Sequence, residues 1–420
     1  MKRRKLIFIK GIYDTMDLFT DELMQAFETK GYPTFALNAE RMEDSLGQLS
    51  GLLGVSCLKR EEANLAQEAA CITFNNMGYN LCEDRGFNLW EQYNIPYYDI
   101  QMDHPFHYAD KLKRLPRTTR LYCIDRNHVA YVRRFFKNIR WADFLPHGGT
   151  AVDARDMPVL PLKERPVDVL YAGSLSKYRI ELLIPDFDQF RTFDAGELCS
   201  QVLQELVRHP SRTTEEVLEE YFAGLELAMT EELLGEYISQ FRFLDAYAVS
   251  FFREQAVRLL VENGIRVAVY GEGWERTDWC GHENLILGGK VLAPQVLALM
   301  HQSKIVLNTM TWFKDGSHDR VFNGMLAGAV VVSDSSRYLK EQFVNHEEAE
   351  LFALEEIGEL PAIVGELLDD LPRAQRIADA GRKKAMEAHT WEQRAQLIEE
   401  AFQASAQQEF VFQRGARRPS

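Results

Sequence analysis

The stretch KIVLNTMTWFKDGSHDRVFNGMLAGAVVVSD, residues 304–334, decides the fold. An apolar run, KIVLNTM, gives way to a polar loop, then to apolar positions at helical spacing around Val321 to Ala327, and then to a second apolar run, AVVVSD. A change of period from strand to helix and back marks a βαβ unit. The runs are continuous in Val, Ile and Leu rather than alternating, which suits strands covered on both faces of a parallel sheet.

Working outward, the same unit recurs. VDVLYAG (167–173) and IRVAVYGEGW (265–274) read as strands of this half, and APQVLALMHQS (293–303) as a helix. In the first half LIFIK (6–10) leads to a helical stretch from about Asp17 to Lys30, with Gly31 placed as its C′ residue, and then to YPTFAL (32–37). CITFN (71–75), YYDIQM (97–102) and RLYCID (120–125) continue the alternation. The fold class is α/β, with the sheet built twice. Pro158, Pro161 and Pro166 mark a linker. The expected division is a first domain over residues 1–160, a second over 161–388, and a crossing helix and polar tail over 389–420. Between about residues 196 and 263 lies an acidic stretch of helical period, with Thr213 or Thr214 as N-cap before Glu215 and Glu216, read as an all-helical insertion in the second domain.

Composition narrows the function. The 420 residues carry 48 Lys and Arg against 63 Asp and Glu, a net charge of −15, which disfavours a general nucleic-acid binder. The opening MKRRK is followed by only LIFI, and no apolar run reaches the roughly 18 residues of a membrane span. Six cysteines without a CxxC pair predict no disulfide framework or zinc site. A cytoplasmic location is the expectation. There is no GxSxG, HExxH or P-loop pattern to support a hydrolase, zincin or NTPase.

Ligands of doubly wound sheets bind outside the carboxyl ends of the strands. Four second-half loops meet that condition. Gly173 and Ser174 open a turn that continues to Lys177 and Arg179, a candidate phosphate site. Gly271, Gly273 and Trp274 follow the strand VAVY, but Arg276 stands where the third Gly of a dinucleotide fingerprint would fall. Asn308, Thr309, Thr311 and Trp312 follow IVLN. The loop from Asp315 enters a helix at His318, Asp319 and Arg320, where helix amides favour an anion and a lone Arg is unfavourable without one.

Taken together, SKIVLNTM…SHDRVFNGMLAGAVVVSD, VLYAGSLSKYR and HTWEQRAQLI resemble the CgeB-like glycosyltransferases over residues 167–180 and 265–405. The resemblance implies the GT-B architecture, two facing Rossmann-like domains, and a glycosyltransferase that moves sugar from a nucleotide-sugar donor, a UDP-sugar by preference, to a protein, glycan or other hydroxyl acceptor. It places Gly173, Ser174, Lys177 and Arg179 near the donor diphosphate, Gly271, Gly273 and Trp274 along the nucleotide, Asn308 at the same cleft, and His318, Asp319 and Arg320 at the sugar diphosphate. It implies no metal and no cofactor beyond the donor. Many members carry Glu where this chain has Asn323, with Asp315 at the earlier acidic position; Asn keeps a hydrogen bond to a hydroxyl but loses its charge. A non-catalytic two-lobed nucleotide- or sugar-binding protein is the alternative that Asn323 favours.

For the acceptor side the candidates are Asp103 and His104, after YYDIQM, as a base and its orienting neighbour. A turn residue before Pro105, a satisfied buried imidazole and an adventitious metal site are the competing readings. Asn75, Asn76, Asp125 and His147 sit at comparable strand ends. The helical insertion is expected to shape an acceptor face or a self-association surface.

Overall fold

The computed structural model describes residues 3–402 apart from 154, 226 and 228. Two six-stranded sheets form its two lobes. The first holds β1 (Lys5–Lys10), β2 (Thr34–Asn38), β3 (Ala69–Phe74), β4 (Tyr97–Gln101), β5 (Thr119–Cys123) and β6 (Ala142–Phe144) in the order β2-β1-β3-β4-β5-β6. The second holds β7 (Val167–Ala172), β8 (Val267–Tyr270), β9 (Leu285–Gly289), β10 (Ser303–Asn308), β11 (Val330–Asp334) and β12 (Glu350–Phe352) in the order β12-β11-β10-β7-β8-β9. Every strand pair is parallel. The order reverses between β1 and β3 in one sheet and between β7 and β10 in the other, so each lobe has its own switch-point crevice.

Nine of the twelve strands are the apolar runs read from the sequence. The other three, β6, β9 and β12, are all edge strands of three to five residues. β9 is exposed at four of its five positions, so it lacks the continuous apolar signature of a central strand. The first helix runs Asp14–Thr29, and Gly31 follows it at φ 78°, the left-handed turn only glycine adopts without strain.

The helical insertion departs from the expected picture. Helices span Ala195–Arg208, Thr214–Gly224, Glu231–Gln240 and Phe243–Glu262. Thr213 caps the second of them in a full capping box with Glu216. The last of the four is not part of an appendage: it is the crossover helix that joins β7 to β8. Its amino-terminal residues Phe243, Leu244 and Ala248 join the core of the first lobe, while Ala256, Val257, Leu260 and Val261 pack under the second sheet. The other three helices, which the chain places in the second domain, bury Leu198, Val202, Leu218, Phe222 and Ile238 in a core that is continuous through the first lobe and takes in Phe313, Phe322 and Val331 of the second. Arg134 of the first lobe holds Glu219 and Glu231 in a double ion pair, and Gly235 abuts the Phe135 ring.

Residues 391–402 form a helix that returns to the first lobe. Trp391 packs on Phe19, Phe74 and His147, and Phe402 on Phe27 and Tyr98. Glu399 accepts from the Tyr32 hydroxyl at 2.9 Å and pairs with Lys30. No helix among the described residues is long and apolar enough to cross a membrane.

Candidate functional site

The crevice of the second lobe is built from the ends of β7, β8 and β10. Two glycines let the first two loops touch. A Cβ on Gly271, φ 137°, would lie 2.6 Å from Gly173 C and Ser174 N; one on Gly273, φ 97°, would lie 2.2 Å from Leu175 O. Hydrogen bonds lock this contact. Gly173 N donates to Tyr270 O at 2.7 Å, Glu272 N to Ser174 Oγ at 3.1 Å, and Leu175 N to Glu272 O at 2.8 Å. The Trp274 indole donates to Gly173 O at 2.9 Å from a position 1% exposed. It therefore braces the loop from below and offers no face to a ligand, a correction to the sequence reading. Gly273→Ala is expected to cost about 1–3 kcal/mol, because backbone must move and φ is positive. Thermal melting would read this as a lowered transition.

Against this loop lie two guanidiniums. Arg320, 5% exposed, donates to Tyr171 Oη at 3.2 Å and to His318 Nε2 at 3.1 Å. Arg253, 8% exposed, donates to Ser174 O and lies over the Tyr171 and Trp312 rings at 5.8 and 5.6 Å. Arg320 also sits 5.3 Å from the Tyr171 ring centre. Among the described residues neither guanidinium has a carboxylate within salt-bridge distance, although buried cations ordinarily require one. Burial and the neighbouring Arg320 push the Arg253 guanidinium down from its ordinary value. Burial alone would raise the Tyr171 phenol, but the two arginines outweigh it and hold it below its usual range. The two guanidiniums concentrate positive charge at this loop, and the carboxylates that act on them, Asp319 and Asp334, do so from beyond ion-pair distance.

The helix Asp319–Leu326 closes the site. His318 caps it by accepting Arg320 N on Nδ1 at 3.3 Å; the same Nδ1 lies 2.5 Å from Asp319 Oδ1, and Nε2 lies 3.1 Å from an Arg320 guanidinium nitrogen. Burial opposes ionisation of Asp319, yet His318, His147 and Arg320 hold its carboxyl well below the ordinary range. Asn323 donates to Asp319 at 3.1 Å and accepts Thr150 N from the interlobe segment at 2.8 Å. Its amide is thus spent on the lobe joint. Asp315 is spent likewise: it pairs with Arg126 of the first lobe at 2.9 Å, and its N–H donates to Asp125.

The remaining predicted groups divide. Lys177 is committed to Glu254 at 2.6 Å. The Arg179 side chain lies outside the described residues. Asn308 is fully buried and donates to Ser333 Oγ, tying β10 to β11. Thr309 accepts or donates at Tyr171 Oη, 3.0 Å away. His147 is buried beneath Trp391 and Phe19.

Asp103 and His104 take different surroundings. His104 is 4% exposed, caps the turn Pro105–Tyr108 through Nδ1, stacks on Phe106 and lies 3.4 Å from Glu215 of the insertion. Burial holds it well below the ordinary imidazole range, so it is a neutral packing residue shut off from solvent, and the sequence reading of it as a base is corrected here. Asp103 is half-buried, with part of its side chain open to solvent.

Sequence reasoning missed Arg253. The signal was present, because residues 253, 256, 257 and 260 share one helical stripe, and an Arg on the buried stripe of a helix demands an explanation.

Comparison with known proteins bears on this arrangement. Residues 250–400 match a family described as Glycosyl transferase-like. No curated protein matches the chain. Sucrose-phosphate synthase from Thermosynechococcus elongatus has a similar structure, with a TM-score of 0.53 at 12% identity, over 96% of this chain and 99% of that one. A glycosyltransferase from Rickettsia africae ESF-5 gives 0.49 at 7% identity over 96% and 99%, and Anabaena HepE in complex with UDP-glucose gives 0.49 at 10% over 95% and 99%. The fold is the two-sheet GT-B architecture of such enzymes, and residues 250–400 carry glycosyltransferase-like sequence.

Proposed function

We propose that the protein is a glycosyltransferase that transfers sugar from a nucleotide-sugar donor, a UDP-sugar, to a hydroxyl of a protein, glycan or other acceptor. The observation that carries this reading is the buried pair Arg253 and Arg320, without carboxylate partners, facing the Gly173 loop at the switch point of the second sheet. A diphosphate supplies a closer counter-charge. In transfer the bond from the anomeric carbon to the diphosphate oxygen breaks, its electron pair stays on the diphosphate, and the preformed positive field stabilises that developing charge without reorganising. The acceptor oxygen forms the new bond and gives its proton to a base. Asp103 is the group that fits this role from the first lobe, in an inverting displacement. Arginines take the part a metal plays elsewhere, so the reaction needs none. The acceptor lies toward the groove of about 950 Å³ between the first-lobe segment 106–113 and the insertion helix Glu231–Gln240.

A thermal-shift series with UDP, UMP, GDP, ADP, TDP and CMP, with and without EDTA, tests the proposal. Binding to the native state raises the melting temperature by mass action. UDP is expected to shift it more than UMP, and EDTA to change nothing. A series in which no nucleotide shifts the melt would overturn the donor assignment. Detectable hydrolysis of a bound donor would separate an enzyme from a merely binding protein.

A further inference from the structure

β3 ends in two consecutive non-glycine residues with left-handed backbone, Asn75 at φ 46° and Asn76 at φ 63°. Such strain persists only where its surroundings impose it, and Asn is among the residues that tolerate it best. Here it brings both amides onto the one Gln101 side chain, from which each reaches a different carboxylate. Asn76 turns inward, where its N–H donates to Asp99 Oδ1 at 2.9 Å and its amide donates to Asp99 Oδ2 and to Gln101 Oε1. Asn75, 7% exposed, turns to Asp103.

The orientation of the Asn75 amide is fixed by its partners. Its Oδ1 accepts Met102 N at 2.7 Å and Gln101 Nε2 at 3.0 Å, which leaves Nδ2 to donate to Asp103 Oδ2 at 2.9 Å. Tyr108 Oη donates to the same oxygen at 2.8 Å. Two donors therefore converge on Oδ2 from different elements, and among the described residues Oδ1 receives no hydrogen bond. A carboxylate held by one oxygen presents the other in a defined direction. We infer that Asn75 and Tyr108 are positioning residues, which hold Asp103 so that Oδ1 is the atom that meets the acceptor hydroxyl.

The inference rests on the reading of Asp103 as the base, and the test separates the two. Asn75→Gly deletes the amide but keeps the left-handed backbone free of strain, and Tyr108→Phe deletes one hydroxyl. UDP release from UDP-glucose and UDP-N-acetylglucosamine by the full chain, scored on the faster donor, is the readout. Each variant is expected to lower kcat roughly tenfold to a hundredfold, with KM for the donor changed less than about threefold, because hydrogen bonds to a charged group are among the stronger ones and geometry multiplies the loss. In an Asp103→Asn background neither change should lower kcat further. A wild-type kcat in Asn75→Gly, or the same fractional loss in both backgrounds, would overturn the inference while leaving Asp103 in place. An unchanged rate in Asp103→Asn would remove the base itself, and no release by the wild-type chain would count against the transferase reading and this inference together.

Discussion

Arg253→Met should weaken UDP binding by about a hundredfold while leaving the melting temperature of the ligand-free protein unchanged or higher. The two halves of that expectation have one cause. A guanidinium that is 8% exposed and has no carboxylate partner is destabilising in the empty protein, since its desolvation is not offset by an ion pair. Methionine keeps most of the length and apolar stem and removes the charge. What the substitution loses in the folded state is a charge-assisted hydrogen bond to Ser174 O, worth about 1.5–3 kcal/mol, set against relief of the guanidinium's desolvation. What it loses in the complex is a charge-assisted contact to a phosphate, and a hundredfold corresponds to about 2.7 kcal/mol. Titration calorimetry with UDP and a thermal melt without it read the two effects separately. A large fall in melting temperature with unchanged affinity would mean that Arg253 is a structural residue, and the anion site would then rest on Arg320 alone.

The position of Arg253 also explains what could be read from the sequence and what could not. Strands β3, β4, β7 and β10 were legible because a strand covered on both faces is apolar at most positions, with polar exceptions such as Asp99 and Gln101 satisfied by buried hydrogen bonds. Edge strands β6, β9 and β12 carry no such requirement and left no mark. The loop at residues 315–320 could be singled out because a polar turn, a helix start and an arginine are contiguous in the sequence. Arg253 could not, because it reaches the Ser174 backbone from a helix 79 residues further along the chain, and only the packing of Phe252, Ala256 and Val257 under the second sheet brings it there. The roles of His104 and Trp274 were misjudged for the converse reason. Both follow strands at the cleft, but burial decides whether a side chain faces ligand or core, and local sequence does not report burial of a single ring. Asn323 and Asp315 show a third limit: their partners Thr150 and Arg126 belong to the other lobe.

The joint between the lobes carries the second large effect. Trp391→Ala is expected to lower the melting temperature by roughly 5–10 °C, since deleting a fully buried indole costs about 3–5 kcal/mol. Trp391 is 1% exposed and contacts the rings of Phe19, Phe74 and His147, and the backbone of Gly148 approaches so closely that a Cβ there would lie 2.6 Å from the indole. Its neighbours tie the same place to the second lobe: Gly149 N donates to His389 O at 2.7 Å, and Arg394 donates through two nitrogens to His147 O. Of these groups only His147 acts on the loop that carries Arg320, through the Asp319 carboxyl. UDP affinity, measured below the lowered transition, should therefore stay within a few-fold of wild type, while transfer slows because donor and acceptor are held by lobes no longer fixed to one another. That pattern is the reverse of the one expected for Arg253→Met. Loss of UDP affinity in Trp391→Ala at a temperature where the chain remains folded would show that the crossing helix shapes the donor site directly, and the division of labour between the two lobes would have to be redrawn.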